Sequence, residues 1–527
     1  MGSNRNISNH FFAAVSMGSE LELREILEAE GREITIDAAQ SYNEQGETPL
    51  LVAIHRKHIG VVKFLVSELK VDIGQSGRFA WKGLDHSANP PLFAAIISGQ
   101  VAIVDYLISV ENLDTPSIPM SSIMSSSISR QEKIDALELM GSAYIFYGEE
   151  TARGFGLPCW MQAMTLRQST TRGQPEIPKN LHHSSELVRK AMGDAVEFNT
   201  PQQLHLLTNE PHNQLITQAN IVSNRILKKI SPGTNPCTCT QLLNYSRHYW
   251  TENEYGRVIS ITMLILESFD LSDEDQYFDG MNDIINSALT IVSNSLLMLR
   301  RESANTSGHE ELSFANLMKV VDFAFTHCRS RTNESFRART MDSMNEWALW
   351  PENYIGDLIV LLHDMDLSQQ EKHLFRKSIF RFISLDHRSS YQRNLLHMIC
   401  LMPVIPNDVI QLLLELGADP NATDEDGNTA LHLLAKNQWT HFDTNAARIL
   451  MDFGGHLDHA NKFGTTVTER LKYRMRCLIR QGSFDASLQA LINRVLPLSC
   501  CSARVIRQNQ IDIRALPPSL QEFVRRH

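Results

Sequence analysis

The chain has 527 residues, 43% of them hydrophobic and 21% charged, a globular composition with room for roughly three or four domains. Its formal net charge of −11 argues against a nucleic-acid partner, which calls for a basic surface. No run of about twenty apolar residues exists to span a membrane, and the opening MGSNRNISNHFFAAV lacks the apolar core of a signal peptide.

Repeats come first in chain order. Gly46-Glu-Thr-Pro-Leu-Leu-Val-Ala-Ile leads into His58-Ile-Gly-Val-Val-Lys-Phe-Leu, and Pro90-Pro-Leu-Phe-Ala-Ala leads into Gly99-Gln-Val-Ala-Ile-Val-Asp-Tyr-Leu. A weaker copy runs from Phe11 to Leu27. These are similar to ankyrin repeats: a turn, a Thr-Pro-Leu-like opening, then two short helices. The Thr48 hydroxyl suits a helix N-cap, and Pro49 suits the first turn. One such unit cannot bury both its faces, so the units must stack.

Residues 117–129 are Ser-rich and are predicted as a loop linking domain 1–116 to the helical stretch that begins at 130. From 130 to 385 the apolar spacing is helical, with stripes such as Ile134, Leu137, Leu139, Met140, Ala143 and Trp160, Ala163, Met164, Leu166. The expectation is a bundle or solenoid of paired helices. A homodimer through this region is compatible with the sequence.

Ankyrin-like units return at 386–485, around Gly417-Ala-Asp-Pro-Asn-Ala-Thr-Asp-Glu-Asp-Gly-Asn-Thr-Ala-Leu-His-Leu. Gly417 is expected to cap a helix in the left-handed conformation, and His432 to tie adjacent loops. The predicted architecture is therefore all-α, with ankyrin solenoids at both ends of a helical middle.

The search for chemistry finds no phosphate-binding Gly-Lys-Ser/Thr loop, no G-x-S-x-G elbow and no H-E-x-x-H pair. His309-Glu310-Glu311 lacks a second histidine, and His182-His183 stands alone. The eight cysteines include no Cys-x-x-Cys and no His pair sits at a finger spacing, so neither a zinc site nor a cofactor is expected. Sparse thiols point to a reducing compartment, cytoplasm or nucleus.

The last segment, 486–527, carries two amphipathic stretches. Leu498, Cys501, Ser502 and Val505 fall at i, i+3, i+4 and i+7, and Ile506 widens that face. Leu520, Phe523 and Val524 form a second set behind Leu516 and Pro517. Two readings compete. A cap would bury Leu498 and Val505 against residues 465–495, whereas a docking face would leave them in water.

Pro497-Leu-Ser-Cys-Cys-Ser-Ala-Arg-Val-Ile resembles the elongin-binding box of cullin-RING ubiquitin-ligase receptors, with Ser502 where the general box has cysteine. Leu516-Pro-Pro-Ser-Leu-Gln-Glu-Phe-Val resembles the adjoining cullin-contacting box. Ala136-Leu-Glu-Leu-Met-Gly-Ser-Ala-Tyr resembles the entry to a tetratricopeptide-like middle, and the whole order of elements is similar to the Fem (feminization-protein) family. The resemblance implies a non-catalytic substrate receptor with three partners: an elongin B–C adaptor, a cullin-two-type scaffold and the C-terminal tail of a target protein. It assigns Leu498, Cys501, Ser502, Val505 and Ile506 to the adaptor, and Leu516, Pro517, Leu520 and Phe523 to the cullin. The family stacks six or seven N-terminal repeats where this chain has about three before residue 117. The family's tail-reading pocket aligns with the insert holding Trp81, Lys82 and Asp85, where Lys82 would repel an arginine end.

Overall fold

The computed structural model describes residues 2–526 except 82–83, 112–117, 126–127, 149, 171–174, 180–184, 210–211, 231–233, 270–279, 304–311, 331–350, 389–390, 437–441 and 495–496. Two compact units divide the chain, Met1–Ile291 and Val292–His527. The division falls inside the helix Met281–Ser303, within the stretch 130–385 that the sequence delimits as one helical domain. The fold is a helical, all-α solenoid, and among the described residues a single two-stranded hairpin departs from it. No described helix is long and apolar enough to cross a membrane.

In the first unit the repeat chemistry is as the sequence dictates. The Thr48 hydroxyl accepts the Leu51 N–H at 3.2 Å, and Pro49 opens the helix Pro49–His55. That helix is buried from Pro49 to Ile54 and packs against Pro91–Ile97 of the next repeat. Between these repeats, Gly77–Trp81 and Leu84–Asn89 pair antiparallel. Gly77 and Phe79 point inward while Arg78 and Ala80 face water, the period-two pattern of a half-buried strand. The Arg78 N–H donates to the Gly46 carbonyl at 2.8 Å and fastens the hairpin to the preceding turn.

The loop expected at 117–129 is corrected by the structure. Ile118–Ser125 is a helix that packs on Arg130–Tyr147, with Ile123 fully buried. Lys133 donates from Nζ to the Met124 carbonyl at 2.7 Å. Apolar residues set among the serines find a core to fill, and that outweighs the composition; Ser117, Ser126 and Ser127 lie outside the described residues.

The helix Arg130–Tyr147 starts on a Ser129–Glu132 capping box and is buried continuously from Ile134 to Ile145. It packs closely on Glu150–Gln168 because two glycines let the backbones meet. A Cβ on Gly141 would lie 2.6 Å from Trp160 Cδ1 and 2.8 Å from the Gly156 carbonyl oxygen. Gly141→Ala is therefore expected to cost ~1–3 kcal/mol through overpacking. Gly154→Ala, on the partner helix with open space around it, should instead stabilise by ~0.5–1 kcal/mol. Denaturant midpoints of the two variants check this, and equal effects would refute it.

Beneath this helix pair lies a buried ion cluster. Arg167 grips Glu138 with two bonds, Nε to Oε1 at 2.9 Å and Nη2 to Oε2 at 3.0 Å. Arg225 bridges from Glu138 to Glu197, whose carboxylate also takes the Lys179 ammonium at 2.8 Å. Lys179 further donates to the Phe198 carbonyl at 2.7 Å and sits 3.4 Å from the Phe198 ring centroid. Burial alone would raise the Glu138 carboxyl, yet Arg225, Arg167 and Lys179 hold it down to about 2.

The second unit carries the late repeats. Gly417, at φ 95°, follows the helix Asn407–Glu415 in the left-handed conformation expected of it. The His432 ring accepts the Thr429 N–H at Nδ1, 3.1 Å, and its Nε2 lies 3.1 Å from the Thr465 carbonyl. His397 repeats the arrangement one unit earlier, accepting the Asn394 N–H at 3.2 Å and reaching the Asn428 carbonyl at 3.2 Å. With Nδ1 accepting, the proton sits on Nε2, which donates to the carbonyl. Both imidazoles are buried, and burial pulls each down to about 4. At the turn between them Asp424 Oδ1 accepts the Asp426 and Asn428 N–H groups at 3.0 and 2.8 Å. Asn461 does the same for Phe463 and Thr465, both at 3.0 Å.

Candidate functional site

The C-terminal helices are built onto the last ankyrin unit. Asp485 caps Ala486–Ile492 by accepting the Leu488 N–H at 2.9 Å, and Leu488 is fully buried. Pro497 then precedes the helix Leu498–Gln508 and accepts the Cys501 N–H at 3.1 Å. This helix presents two faces of opposite character. Cys500 and Ala503 are buried, whereas Leu498 is 82% exposed and Val505 52%. Cys501 and Ser502 are exposed beside them, and Ile506 is half-buried. The cap arrangement, with Leu498 and Val505 covered by residues 465–495, is thus not the one this fold adopts.

The second helix, Pro518–Arg526, is anchored by Val524, which is buried. Leu520 is 49% exposed, Pro517 is exposed, and Leu516 is half-buried. Phe523 is also half-buried, its ring edge-on to His456 with centroids 5.7 Å apart, so part of its surface serves the fold. Gln521 donates from Nε2 to the Leu516 carbonyl at 2.8 Å and closes the turn between the helices. Ile511, 53% exposed in that turn, belongs to no periodic stripe, so no sequence pattern points to it. Burying an exposed leucine is worth about 1.5–3 kcal/mol, a gain here open only to a partner.

Under the first of these helices, Cys500 Sγ lies 3.1 Å from His456 Nδ1. Asp458, also buried, completes a group of three donor atoms, all within 4.8 Å of one another. Burial, then the neighbouring Asp458 carboxylate, pushes the Cys500 thiol up to about 12. Sequence motifs miss this group because its members lie 44 residues apart and match no finger spacing.

At the other end of the chain, Trp81 closes the first strand of the hairpin. Its ring is stacked 6.5 Å from the buried Phe79 ring and lies 6.4 Å from His55. Asp85 pairs with Ala80 in the strand register, but its side chain and all of Lys82 lie outside the described residues. Nearby in sequence, Asn89 and Phe93 line a cavity of about 190 Å³ with Ile128, Glu132, Asp135 and Lys229. Asp135 is buried and paired with Lys229 at 3.1 Å.

Ankyrin-repeat profiles match residues 11–117, as three copies, and 406–450. The chain is 24% identical over 482 residues to Protein fem-1 homolog A of Rattus norvegicus, covering 83% of this chain and 67% of that one. It is 25% identical over 499 residues to Protein fem-1 homolog A of Homo sapiens, covering 92% and 68%. The same likeness extends to Protein fem-1 homolog C of Xenopus laevis, at 24% over 455 residues, covering 83% and 65%. The chain is an ankyrin-repeat protein similar to the Fem family across most of its length. The chain spans about two thirds of the length of these fem-1 relatives. The stacked ankyrin repeats and the fem-1 likeness support a recognition or interaction role for the chain.

Proposed function

We propose that the chain is the substrate-recognition subunit of an elongin–cullin–RING ubiquitin ligase. The terminal helices dock the elongin B–C adaptor and a cullin-two-type scaffold. The N-terminal ankyrin repeats hold a target protein's tail near Trp81, Lys82 and Asp85. The role is non-catalytic: the other subunits transfer ubiquitin. One observation carries the reading. Leu498, Cys501, Ser502 and Val505 stand in water on a helix whose opposite side is buried, and their spacing is that of the box the sequence resembles. A helix that served only as a cap would turn that leucine inward.

Copurification with the elongin B–C pair tests it. Wild type is expected to retain the pair. Leu498→Asp should bind at least ~30-fold more weakly, the equivalent of about 2 kcal/mol of lost apolar burial. Because Leu498 is 82% exposed, the variant should melt at the wild-type temperature. Folded wild type that fails to bind, or a Leu498→Asp chain that binds equally well, would remove the ligase reading. It would leave a plain ankyrin scaffold.

A further inference from the structure

We propose that His456, Asp458 and Cys500 form a zinc-type divalent-cation site that fastens the C-terminal docking helix to the last ankyrin turn. One ligand atom from each residue lies within 4.8 Å of the other two, and Cys500 Sγ and His456 Nδ1 are 3.1 Å apart. Tetrahedral zinc, with bonds of ~2.0–2.3 Å, sets its ligands ~3.3–3.8 Å from one another. The three donors need to move by only about an ångström, a side-chain adjustment. A thiolate, an imidazole and a carboxylate together suit zinc; magnesium and calcium take all-oxygen sets. Three protein ligands leave a fourth position for water.

The donors are also held in place by bonds that do not involve the ion. The His456 N–H donates to Asn421 Oδ1 at 3.1 Å. The Leu457 carbonyl, between the two turn ligands, accepts both the N–H and the hydroxyl of Thr468, at 2.9 and 3.0 Å. The turn is thereby fixed to the ankyrin unit. Cys500 alone comes from the terminal helix, two residues after Leu498. Asp458 and Cys500 are buried, and His456 is half-exposed, giving an ion a route in. On binding, the Cys500 thiol loses its proton to solvent and its sulfur bonds the metal; no oxidant or reductant takes part. The ion then cross-links residues 456–458 to the first turn of the helix that carries Leu498 and Val505, making that face rigid before any partner arrives. This proposal stands apart from the ligase reading, since metal binding is measured on the chain alone.

The test uses the full chain, made without a polyhistidine tag, stripped with a chelator and then titrated with zinc or cobalt chloride. Wild type should retain one zinc per chain through gel filtration, and cobalt should give a thiolate charge-transfer band. Cys500→Ser should lose that band and bind zinc at least tenfold more weakly, while Cys501→Ser, altered at the exposed neighbour, keeps both. His456→Asn, at a half-exposed position, gives the same readout as Cys500→Ser with less disturbance of the core. Zinc should also slow amide exchange across 498–508 in wild type. Wild type that retains no stoichiometric zinc overturns the proposal, as does a cobalt band that survives both Cys500→Ser and His456→Asn. If elongin B–C binding fails while zinc binding persists, only the ligase reading falls.

Discussion

Glu138→Ala is expected to destabilise the first unit by ~3–5 kcal/mol, the usual cost of removing one partner from a buried ion pair. The reason lies in the charge count. Glu138 and Glu197 face Arg167, Lys179 and Arg225, so two carboxylates serve three cations. Without Glu138, Arg167 keeps only the carbonyls of Ile177 and Pro178, at 3.3 and 3.5 Å, among the protein partners found for it. Burial already pulls the Lys179 ammonium below its usual range even with both carboxylates present, which shows how little water reaches it. Removing one anion leaves that cation harder to keep charged. Urea unfolding followed by fluorescence of the buried Trp160, whose Nε1 donates to the Glu138 carbonyl at 2.9 Å, reads the effect directly. Glu68→Gln, which breaks an exposed pair with Arg24, should move the midpoint far less. Equal shifts for the two variants would mean that the buried cluster adds nothing beyond a surface pair.

Acid is expected to loosen the second unit's ankyrin repeats well before it reaches this cluster. The buried His397 and His432 titrate near 4, against 6.5 for the free side chain. Below pH 6.5 the unfolded chain takes up protons that the folded chain refuses, so stability falls as pH drops from about 6.5 towards 4. At pH 5 the loss is about 2 kcal/mol for each histidine. Protonation would also set a new Nδ1–H against the Thr429 or Asn394 backbone N–H that the ring now accepts. Glu138 behaves differently. Held at about 2 against a free value of 4.5, it loses its contribution only between those values. Amide exchange at pH 7 and pH 5 should show opening across 394–470 while residues 130–147 stay protected. Replacing His397 and His432 with glutamine, which cannot titrate, should flatten the response of 394–470 over this range. If that segment exchanges equally at the two pH values, the histidines are not the acid trigger.

Local chemistry was legible in the sequence and distant chemistry was not. Thr48, Pro49, Gly417 and His432 act through neighbours a few residues away or one repeat along, so a single line of text contains their reasons. The spacing of Leu498, Cys501, Ser502 and Val505 likewise determines which side of one helix they share, and the structure leaves all four exposed. The ion cluster draws on residues from 138 to 225, and no period connects them. Its local sign was an acid at 138 set between Leu137 and Leu139, inside a run that is buried from Ile134 to Ile145. The hairpin at 77–89 did carry a signal, the alternation of the aromatic Phe79 and Trp81 with Arg78 and Ala80, which the helical context concealed. The helix at 118–125 was hidden by serine content, although Ile123 supplied the apolar contact that decided it.

The histidine ties between repeats bear on how such a chain tolerates drift. Each ring ends on a main-chain oxygen, that of Asn428 or Thr465, and every amino acid carries that atom. Exchanging the side chain at 465 leaves the acceptor where it was. The joint between neighbouring repeats thus depends on one imidazole and a backbone path, with no need for a matched pair of side chains. Selection can then rewrite the rest of a repeat freely while its stacking geometry is inherited.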